Sequence, residues 1–279
     1  MFPQITIVGL GLMGGSLAAS CKKKFPSAKI VAVSRNRAAI HFAKRKRWID
    51  QGTSDLKEGI KSADLIVLCT PVDTFPKLLS SIEKTIDHSA LVTDVGSTKS
   101  ELIRWVEKRK WKHLEFVGAH PMVGSHERGI EAANPNIYER GYTFLIKSSK
   151  VKGSNFAKVK TFWKRIMPQV IEVKAREYDE MVAAVSHLPH AVAVCLIQSI
   201  SKRQMKFAST GFCDTTRVAL GDPSIWAPIF RSNRKAILKS LSDFEKTMSL
   251  FKKMIQKNTT TRLSAILSEA MSKRKGLCP

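Results

Sequence analysis

The first part of the chain alternates short runs of β-branched and other apolar residues with segments whose apolar positions recur every three or four residues. The short runs are typical of buried strands, and the second spacing is typical of a helix with one buried face. Their alternation predicts an α/β domain built on a parallel sheet. Between Ser154 and Met167, five apolar side chains share one face of a predicted helix. We expect strands at Gln4–Leu10, Lys29–Ser34, Leu65–Thr70, Ala90–Val95, Glu115–His120, Thr143–Lys147 and Gln169–Val173.

The strand pattern ends near Lys174, and from Arg176 onward the apolar spacing is helical throughout. We therefore predict two domains. Residues 1–175 form the α/β domain, and residues 176–279 form an all-α domain. Helices are expected at Tyr178–Ser186, along the apolar run after Pro189, and at Arg231–Gln256.

Composition and cysteine usage are those of a globular protein. Of the 279 residues, 43% are hydrophobic and 25% are charged, proportions that exclude a disordered or fibrous chain. The five cysteines are scattered without a CxxC pair, so we expect reduced thiols and neither a disulfide framework nor a zinc ribbon. The N-terminus lacks the pattern of a secretory leader, and Ala191–Ile197 is far shorter than the roughly 20 residues of a membrane span. We expect a cytoplasmic protein without a membrane span.

The charge is strongly positive, with 47 Lys and Arg against 23 Asp and Glu, a net charge of +24. Such an excess attracts anions, including nucleic acid, phosphorylated cofactors and dicarboxylates. The basic clusters are scattered near predicted helix ends, where the helix dipole favours lysine, and no base-reading module accompanies them. Nucleic acid is therefore not the expected partner.

A glycine motif follows the first predicted strand directly. Gly9, Gly11 and Gly14 form a GxGxxG pattern that continues as a helix. The first glycine permits a tight turn, the second lets the backbone approach a pyrophosphate, and the third allows close packing of helix and strand. The helix N-terminus at Leu12 and Met13 offers N–H groups and the positive end of a dipole. Because strand, helix and next strand follow in order, the motif predicts a Rossmann dinucleotide-binding domain.

The end of the second predicted strand bears on the choice of dinucleotide. NAD sites usually carry a carboxylate there, which bonds the ribose 2′-hydroxyl, whereas NADP sites offer arginine to the 2′-phosphate. This chain has Ser34 at that position, followed by Arg35 and Arg37. The pattern favours NADP, with NAD still possible, although both arginines could also be ordinary surface charges of a basic protein. Further cofactor contacts are expected at Thr70 and Pro71, after a central strand.

Two histidine motifs are candidates for chemistry. His120 ends a predicted strand at the sheet edge where open α/β sheets bind ligands, and a histidine there is a natural general base. His187 and His190 are three residues apart, so they share one face of a helix. They could also hold zinc, but the spacing implies no third ligand, and we expect no metal. Arg217 could clamp a carboxylate or pair with Asp214.

The order of these motifs resembles the prephenate/arogenate dehydrogenase family of tyrosine biosynthesis. The resemblance covers about residues 4 to 250. It implies an NAD(P)-dependent oxidative decarboxylation by a Rossmann domain and a helical dimerisation domain, with a homodimer formed through the latter. The motifs are Gly9-x-Gly11-x-x-Gly14, Asp94-Val-Gly-Ser97-Thr-Lys99, His120-Pro-Met-Val-Gly-Ser, Ser186-His-Leu-Pro-His190, Thr216-Arg217 and Asp222-Pro-x-x-Trp226.

The resemblance also implies roles for individual residues. His120 would accept the proton of the substrate hydroxyl as hydride leaves, and Ser97 would bond the same hydroxyl. Arg217 would bind a substrate carboxylate, and His190 would line that pocket. Many members of the family have Ala and an acidic residue where this chain has Val123 and His126. The substrate therefore stays open between arogenate and prephenate.

Two other interpretations remain. The first is another Rossmann-plus-helical dehydrogenase of the β-hydroxyacid type, which would need a catalytic lysine in the helical domain; the Ser186–His190 motif is evidence against it. The second is a basic nucleic-acid-binding protein on a dehydrogenase scaffold that has lost its activity. It would bind duplex or RNA in a salt-sensitive manner and show no turnover.

Overall fold

The structure, a computed structural model, describes residues 2–124, 127–257 and 260–277. The chain forms two compact units, Met1–Asn233 and Arg234–Pro279. The first contains the sheet, the helices packed on it and the first helices that follow it; the described part of the second consists of two helices. The division into domains at residues 175 and 176 stays a prediction.

An eight-stranded sheet forms the centre of the first unit. Its strands are β1 (Gln4–Val8), β2 (Lys29–Val33), β3 (Gln51–Thr53), β4 (Leu65–Leu68), β5 (Ala90–Asp94), β6 (Leu114–Pro121), β7 (Tyr142–Lys147) and β8 (Gln169–Glu172). They lie in the order β3-β2-β1-β4-β5-β6-β7-β8. In β1, Ile5 lies opposite Ile30 on one side and Leu65 on the other, in parallel register. The strand order reverses at β1, which is where open α/β sheets bind ligands.

Helices pack on both faces of the sheet, and every element described after β8 is helical. They are α1 (Leu12–Lys24), α2 (Arg37–Arg45), α3 (Leu56–Ile60), α4 (Phe75–Thr85), α5 (Ser100–Glu107), α6 (Gly153–Ile166), α7 (Ala175–Val182), α8 (Leu188–Gln198), α9 (Lys202–Met205), α10 (Thr210–Thr216), α11 (Pro223–Ser232), α12 (Arg234–Gln256) and α13 (Thr260–Lys275). A π-helical turn, Ala183–His187, joins α7 to α8, and short 3₁₀ turns cover Val72–Thr74, Ile137–Glu139 and Arg217–Leu220.

Two hydrophobic cores hold these layers together. One lies under α1 and α6 and includes the fully buried Trp163, whose indole N–H donates to Thr93 Oγ1 at 3.2 Å. The other lies under α4, α5 and α7 and includes Phe75 and Tyr178. Because both faces are covered, the central strands are apolar on both sides, which explains their continuous apolar runs in the sequence.

The sequence pattern predicted a parallel sheet, but one pair of strands in the structure is antiparallel. β7 runs antiparallel to β6, with Leu145 opposite Ala119. Among its described residues, the connection between them contains only the turn Ile137–Glu139 and no α-helix. A parallel neighbour needs a crossover, usually a helix, so the chain returns beside β6 in the opposite direction. After the crossover through α6, β8 is parallel to β7.

Strand positions are confirmed, but several boundaries differ. β1 ends at Val8 and not at Leu10, because Gly9 turns the chain with a φ of +104°. β4 ends at Leu68 and not at Thr70, whereas β6 extends to Pro121. β3 was not predicted, because it is a strand of only three residues without hydrophobic alternation.

Helix positions show similar differences. The helix predicted at Tyr178–Ser186 begins at Ala175 and continues through the π-helical turn. The helix predicted at Arg231–Gln256 is interrupted at Asn233, which ends α11. The side chain of Asn233 donates to the Asp179 carbonyl at 2.8 Å and to His187 Nδ1, contacts that a helical pattern cannot indicate.

The helical run Ala175–Gln198 has the length and composition of a membrane span, with a mean hydropathy of 1.6 in its most apolar window. Only 28% of that window is buried in this chain. No span was expected from the sequence, since the apolar stretch Ala191–Ile197 by itself is too short to cross a membrane. The run also carries the buried polar residues Asp179, His187 and His190. Its exposed large apolar side chains are Met181, Val185 and Val194.

Candidate active site

The predicted site residues lie in or beside separate loops at the carboxyl ends of the parallel strands. β1, β2, β4, β5 and β6 run in one direction, so the residues that follow them share one edge of the sheet. Gly9 follows β1, Ser34 follows β2, Thr70 follows β4 and Ser97 follows β5, while His120 lies near the end of β6. The structure thus brings the glycine loop and the candidate base to the same edge.

The glycine loop leaves space in front of α1. Gly9 has a left-handed conformation that favours glycine, and its N–H donates to the Val33 carbonyl at 2.8 Å. A Cβ on Gly14 would lie 1.8 Å from the Gly9 carbonyl oxygen, so helix and strand leave no room for a side chain. A Cβ on Gly11 would meet no atom within 4 Å. This opening, beside the first-turn N–H groups of Leu12 and Met13, fits a pyrophosphate.

The loop after β2 combines a buried serine with two exposed arginines. Ser34 Oγ accepts a hydrogen bond from the Asn36 N–H at 3.2 Å. Asn36 in turn caps α2, because its Oδ1 accepts from the Ala39 N–H at 3.2 Å. The side chains of Arg35 and Arg37 are exposed on either side of this cap. The position that carries a carboxylate in many NAD sites is therefore neutral here and flanked by guanidinium groups.

The loop after β4 packs directly on the glycine loop. The hydroxyl oxygens of Thr70 and Thr74 lie 2.6 Å apart, and the Thr74 hydroxyl donates to the Pro71 carbonyl at 2.6 Å. A Cβ on Gly9 would lie 2.9 Å from the Thr70 methyl carbon. Thr70 and Pro71 thus lie next to the opening in front of α1.

A fully buried ion pair fixes the loop after β5. Lys99 Nζ donates to Asp94 Oδ2 at 2.8 Å and to the Gly96 carbonyl at 2.5 Å. The other carboxylate oxygen, Oδ1, accepts from the Ala119 N–H at 2.9 Å. A buried ion pair is tolerated when hydrogen bonds satisfy its remaining atoms, as they do here. The pair ties the loop that carries Ser97 to strand β6, one residue before His120.

Burial and charge keep His120 neutral. Burial lowers the pKa of His120 well below its usual value of 6.5, and the nearby charges of Lys99 and His187 lower it further. The Tyr178 hydroxyl forms a hydrogen bond with His120 Nδ1. A histidine that is neutral at physiological pH can accept a proton, which is the requirement for a general base.

Helix α7 supplies residues that the sequence analysis did not assign. The Tyr178 hydroxyl donates to the Ser97 carbonyl at 3.0 Å. The next residue, Asp179, accepts from the N–H groups of Lys99 and Ser100 with its two carboxylate oxygens, each at 2.8 Å. These bonds satisfy the N-terminus of α5. The motif Asp94–Lys99 pointed to this loop, but nothing in the sequence pattern marked Tyr178 or Asp179 as its partners.

The two histidines of the second motif are buried, and His187 lies close enough to His120 to influence its pKa. His190 stacks on Trp226, with ring centroids 3.6 Å apart and planes 12° apart, and His187 meets the same indole edge-on at 6.0 Å. The Nδ1 atom of His190 is buried without a hydrogen-bond partner among the described residues. Burial lowers the pKa of both histidines. In residues 2–124, 127–257 and 260–277, no group of three or more His, Cys, Asp or Glu side chains is placed to hold a metal ion.

The structure does not join every predicted site residue to this cluster. Arg217 is exposed at the start of a 3₁₀ turn, and within the described ranges no hydrogen bond or ion pair links it to His120 or to Asp214. The role of Arg217 at a carboxylate therefore stays a prediction. Ser125, the last residue of the motif that begins at His120, and His126, which follows it, lie outside the described residues.

Comparison with known proteins places the chain among relatives along its whole length. Residues 17–172 match the family model for the nucleotide-binding domain of prephenate dehydrogenase, and residues 174–269 match the model for its dimerization domain. The chain belongs to the prephenate dehydrogenase family. A prephenate dehydrogenase from Lactococcus lactis is 30% identical over 99% of this chain and 79% of its own length.

Solved structures of similar proteins agree with this family assignment. Prephenate dehydrogenase from A. aeolicus, in complex with hydroxyphenyl propionate and NAD+, is 31% identical with a TM-score of 0.92 and covers 100% of this chain and 99% of its own. Arogenate dehydrogenase from Synechocystis is 26% identical with a TM-score of 0.83, over 99% and 100% of the two chains. The predicted fold, a Rossmann domain followed by a helical dimerisation domain, is confirmed. The chain is a dehydrogenase of tyrosine biosynthesis that uses a nicotinamide dinucleotide.

Proposed function

We propose that this member of the prephenate dehydrogenase family oxidises and decarboxylates a cyclohexadienol, arogenate or prephenate, with His120 as general base and NADP+ as the preferred oxidant. The observation that carries the proposal is the position of His120 at the carboxyl edge of the sheet, where burial lowers its pKa, with Ser97 in the adjacent loop and the glycine loop at the same edge. The products are tyrosine or 4-hydroxyphenylpyruvate, CO₂ and the reduced nicotinamide.

The residues present account for the proton transfer. A bound oxidised nicotinamide would supply the acceptor for the hydride of the ring carbon that carries the hydroxyl. His120 accepts the hydroxyl proton, and Ser97 holds the same hydroxyl in place. The ring carboxylate leaves as CO₂, and the electron pair of the broken C–C bond stays in the ring, which becomes aromatic. The phenolate oxygen then takes a proton back.

The proposed site also contains groups that would bind the carboxylates of the substrate. Arg217 would bind a substrate carboxylate, because a guanidinium forms two hydrogen bonds with that group. His190, stacked on Trp226, would line the same pocket with an Nδ1 atom that has no partner within the described chain. The excess of positive charge, +24, would attract a dianionic or zwitterionic substrate.

A preference for NADP+ is proposed from the loop after β2. Ser34 places no negative charge against a 2′-phosphate, and the exposed guanidinium groups of Arg35 and Arg37 are available to bind it. NAD+ would lack the phosphate that these arginines recognise.

A cytoplasmic homodimer is proposed from the helical segment. Residues 174–269 match a dimerization domain, and the run Ala175–Gln198 leaves the large apolar side chains of Met181, Val185 and Val194 exposed in the single chain. A second copy would cover that surface. We therefore assign the apolar run to a protein interface and not to a membrane.

The first experiment measures reduced-nicotinamide formation with arogenate or prephenate, each with NADP+ or NAD+. The fastest of the four combinations identifies substrate and cofactor. Turnover by His120→Ala should fall by about 10²–10⁴-fold, the usual contribution of a general base, with cofactor binding retained. The matched control is His113→Ala, which removes an imidazole just before the opposite end of β6. Unchanged turnover in His120→Ala would overturn the catalytic assignment, and silence in all four combinations from folded protein would favour the other interpretations.

A further inference from the structure

The hydroxyl of Tyr178 lies between two groups of the site. It is 3.0 Å from the Ser97 carbonyl oxygen and forms a second hydrogen bond with His120 Nδ1. The tyrosine side chain is fully buried, and the planes of its ring and the imidazole meet at 83°. A buried tyrosine hydroxyl needs one partner, which Ser97 already provides. The second contact, to the candidate base, is the feature that needs an explanation.

Hydrogen counting gives the direction of both bonds. A tyrosine hydroxyl has one hydrogen, and a carbonyl oxygen can only accept. The hydrogen of Tyr178 therefore points to Ser97, and the hydroxyl oxygen is left to accept a hydrogen bond from His120. That requires a proton on Nδ1. A neutral imidazole carries one proton, so the other ring nitrogen, Nε2, keeps its lone pair.

We infer that Tyr178 is a positioning residue that fixes the tautomer of His120, with Nδ1 protonated and Nε2 presented as the base. The inference rests on the proposed function, in which His120 accepts the substrate proton. When Nε2 takes that proton, the ring becomes an imidazolium whose Nδ1–H still donates to the Tyr178 oxygen. A hydrogen bond from a charged donor is stronger, so the contact also stabilises the state formed during the reaction.

Neighbouring groups hold Tyr178 in this position and in its neutral form. Asp179 binds two N–H groups at the start of α5, and Asn233 donates to the Asp179 carbonyl at 2.8 Å. These contacts fix the backbone on which the tyrosine is carried. Burial raises the pKa of Tyr178 well above 10, and nearby negative groups raise it further, so the hydroxyl keeps its hydrogen. The titratable groups around the two rings are Lys99, Asp94, Asp179, His187 and Tyr142.

The direct test is the tautomer of His120 in the wild-type protein, measured by nitrogen NMR of ¹⁵N-histidine-labelled material at neutral pH. The chain has seven histidines, and the resonances of His120 are those missing from His120→Asn. We expect a protonated Nδ1 and an unprotonated Nε2. A protonated Nε2 would overturn the inference. This readout needs no turnover, so it fails or succeeds independently of the proposed function.

The variant Tyr178→Phe removes only the hydroxyl and keeps the buried ring. We expect kcat to fall about tenfold, equivalent to about 1.4 kcal/mol of transition-state stabilisation, with KM for substrate and cofactor unchanged. The His120 tautomer should become mixed. The acid limb of the kcat/KM profile should move to lower pH, because a bond that favours the protonated ring is lost.

The matched control is Tyr142→Phe, a half-buried tyrosine of the same chain. It should leave the tautomer and kcat unchanged. Thermal unfolding and cofactor titration of both variants separate loss of the hydroxyl from loss of the fold. If Tyr178→Phe moved the acid limb to higher pH, Tyr178 would be the donor to Nδ1 and the inference would be wrong; an unchanged tautomer would also contradict it.

Discussion

Acid should destabilise the first unit through one buried side chain, His187. The residue is 1% exposed, and its Nδ1 atom accepts a hydrogen bond from the Asn233 amide at 3.2 Å. The same amide group donates to the Asp179 carbonyl, so its orientation is fixed. Protonating Nδ1 would replace the acceptor with an N–H donor that faces the N–H donor of the Asn233 amide, and this hydrogen bond would be lost. Burial, with a smaller contribution from His190, lowers the pKa of His187 from 6.5 to about 4.

The size of the effect follows from this pKa difference. As the pH falls below 6.5, the unfolded chain binds a proton at His187 that the folded chain does not bind until pH is about 4. The unfolded state therefore holds more protons in this window, and the free energy of unfolding decreases as the pH decreases. At about 1.4 kcal/mol per pKa unit, the loss amounts to about 3 kcal/mol at pH 4, and none of it is present well above 6.5.

The variant His187→Asn keeps an acceptor near the Nδ1 position and does not titrate. Urea unfolding, followed by tryptophan fluorescence at one protein concentration, gives the free energy of unfolding from neutral pH to pH about 4. We expect wild type to lose about 3 kcal/mol relative to the variant across this range. The difference is the quantity to measure, because His120 and His190 also have lowered pKa values. His41→Asn, at an exposed position of α2, is the control, and parallel curves for wild type and His187→Asn would refute the reasoning.

Other substitutions test the remaining parts of the site. Gly11→Ala should fold like wild type, because a Cβ there meets no atom of the chain, and should lose at least about tenfold in cofactor affinity. Gly14→Ala should instead lower the melting temperature, because a Cβ there would collide with the Gly9 carbonyl oxygen. Comparable melting temperatures would contradict this. Ser34→Asp should shift the ratio of kcat/KM for NADP+ and NAD+ about tenfold toward NAD+ by repelling the 2′-phosphate, and an unchanged ratio would refute the interpretation of that loop. Arg217→Ala should raise the substrate KM about tenfold or more through loss of a charge-assisted bond, with cofactor KM as the internal control.

The sequence pattern predicts the Rossmann architecture because both of its signals are local. A buried parallel strand is a continuous apolar run, and the GxGxxG turn must follow the first strand within a few residues. The same reasoning placed His120 at the carboxyl edge of the sheet. The predicted strand ends were less accurate, because β1 ends at the turn made by Gly9 and not where the hydrophobic residues end.

The contacts that complete the candidate site could not be predicted in this way. Tyr178 and Asp179 reach the loop at Ser97 and Lys99 across about 80 residues of sequence. Asn233 interrupts a helical pattern because its side chain bonds Asp179 and His187, 54 and 46 residues away. Periodicity describes which face of an element is buried. It does not describe which polar atoms meet once the elements have packed.

The π-helical turn at Ala183–His187 constrains how the length of this protein can change. A π-helical turn holds about one residue more than an α-helical turn, so removing one residue there would let α7 and α8 join as a regular helix. Each residue of an α-helix advances by about 100°, and the five residues of a π-helical turn together rotate the chain by about as much as four residues of an α-helix. The side chains of α8 would therefore keep nearly the same orientation relative to α7, and His190 would still face the indole of Trp226. Deleting one residue from the regular turns of α7 or α8 would instead rotate everything after it by about 100°, so a single deletion at Ala183–Val185 should be accepted more readily than one in either neighbouring helix.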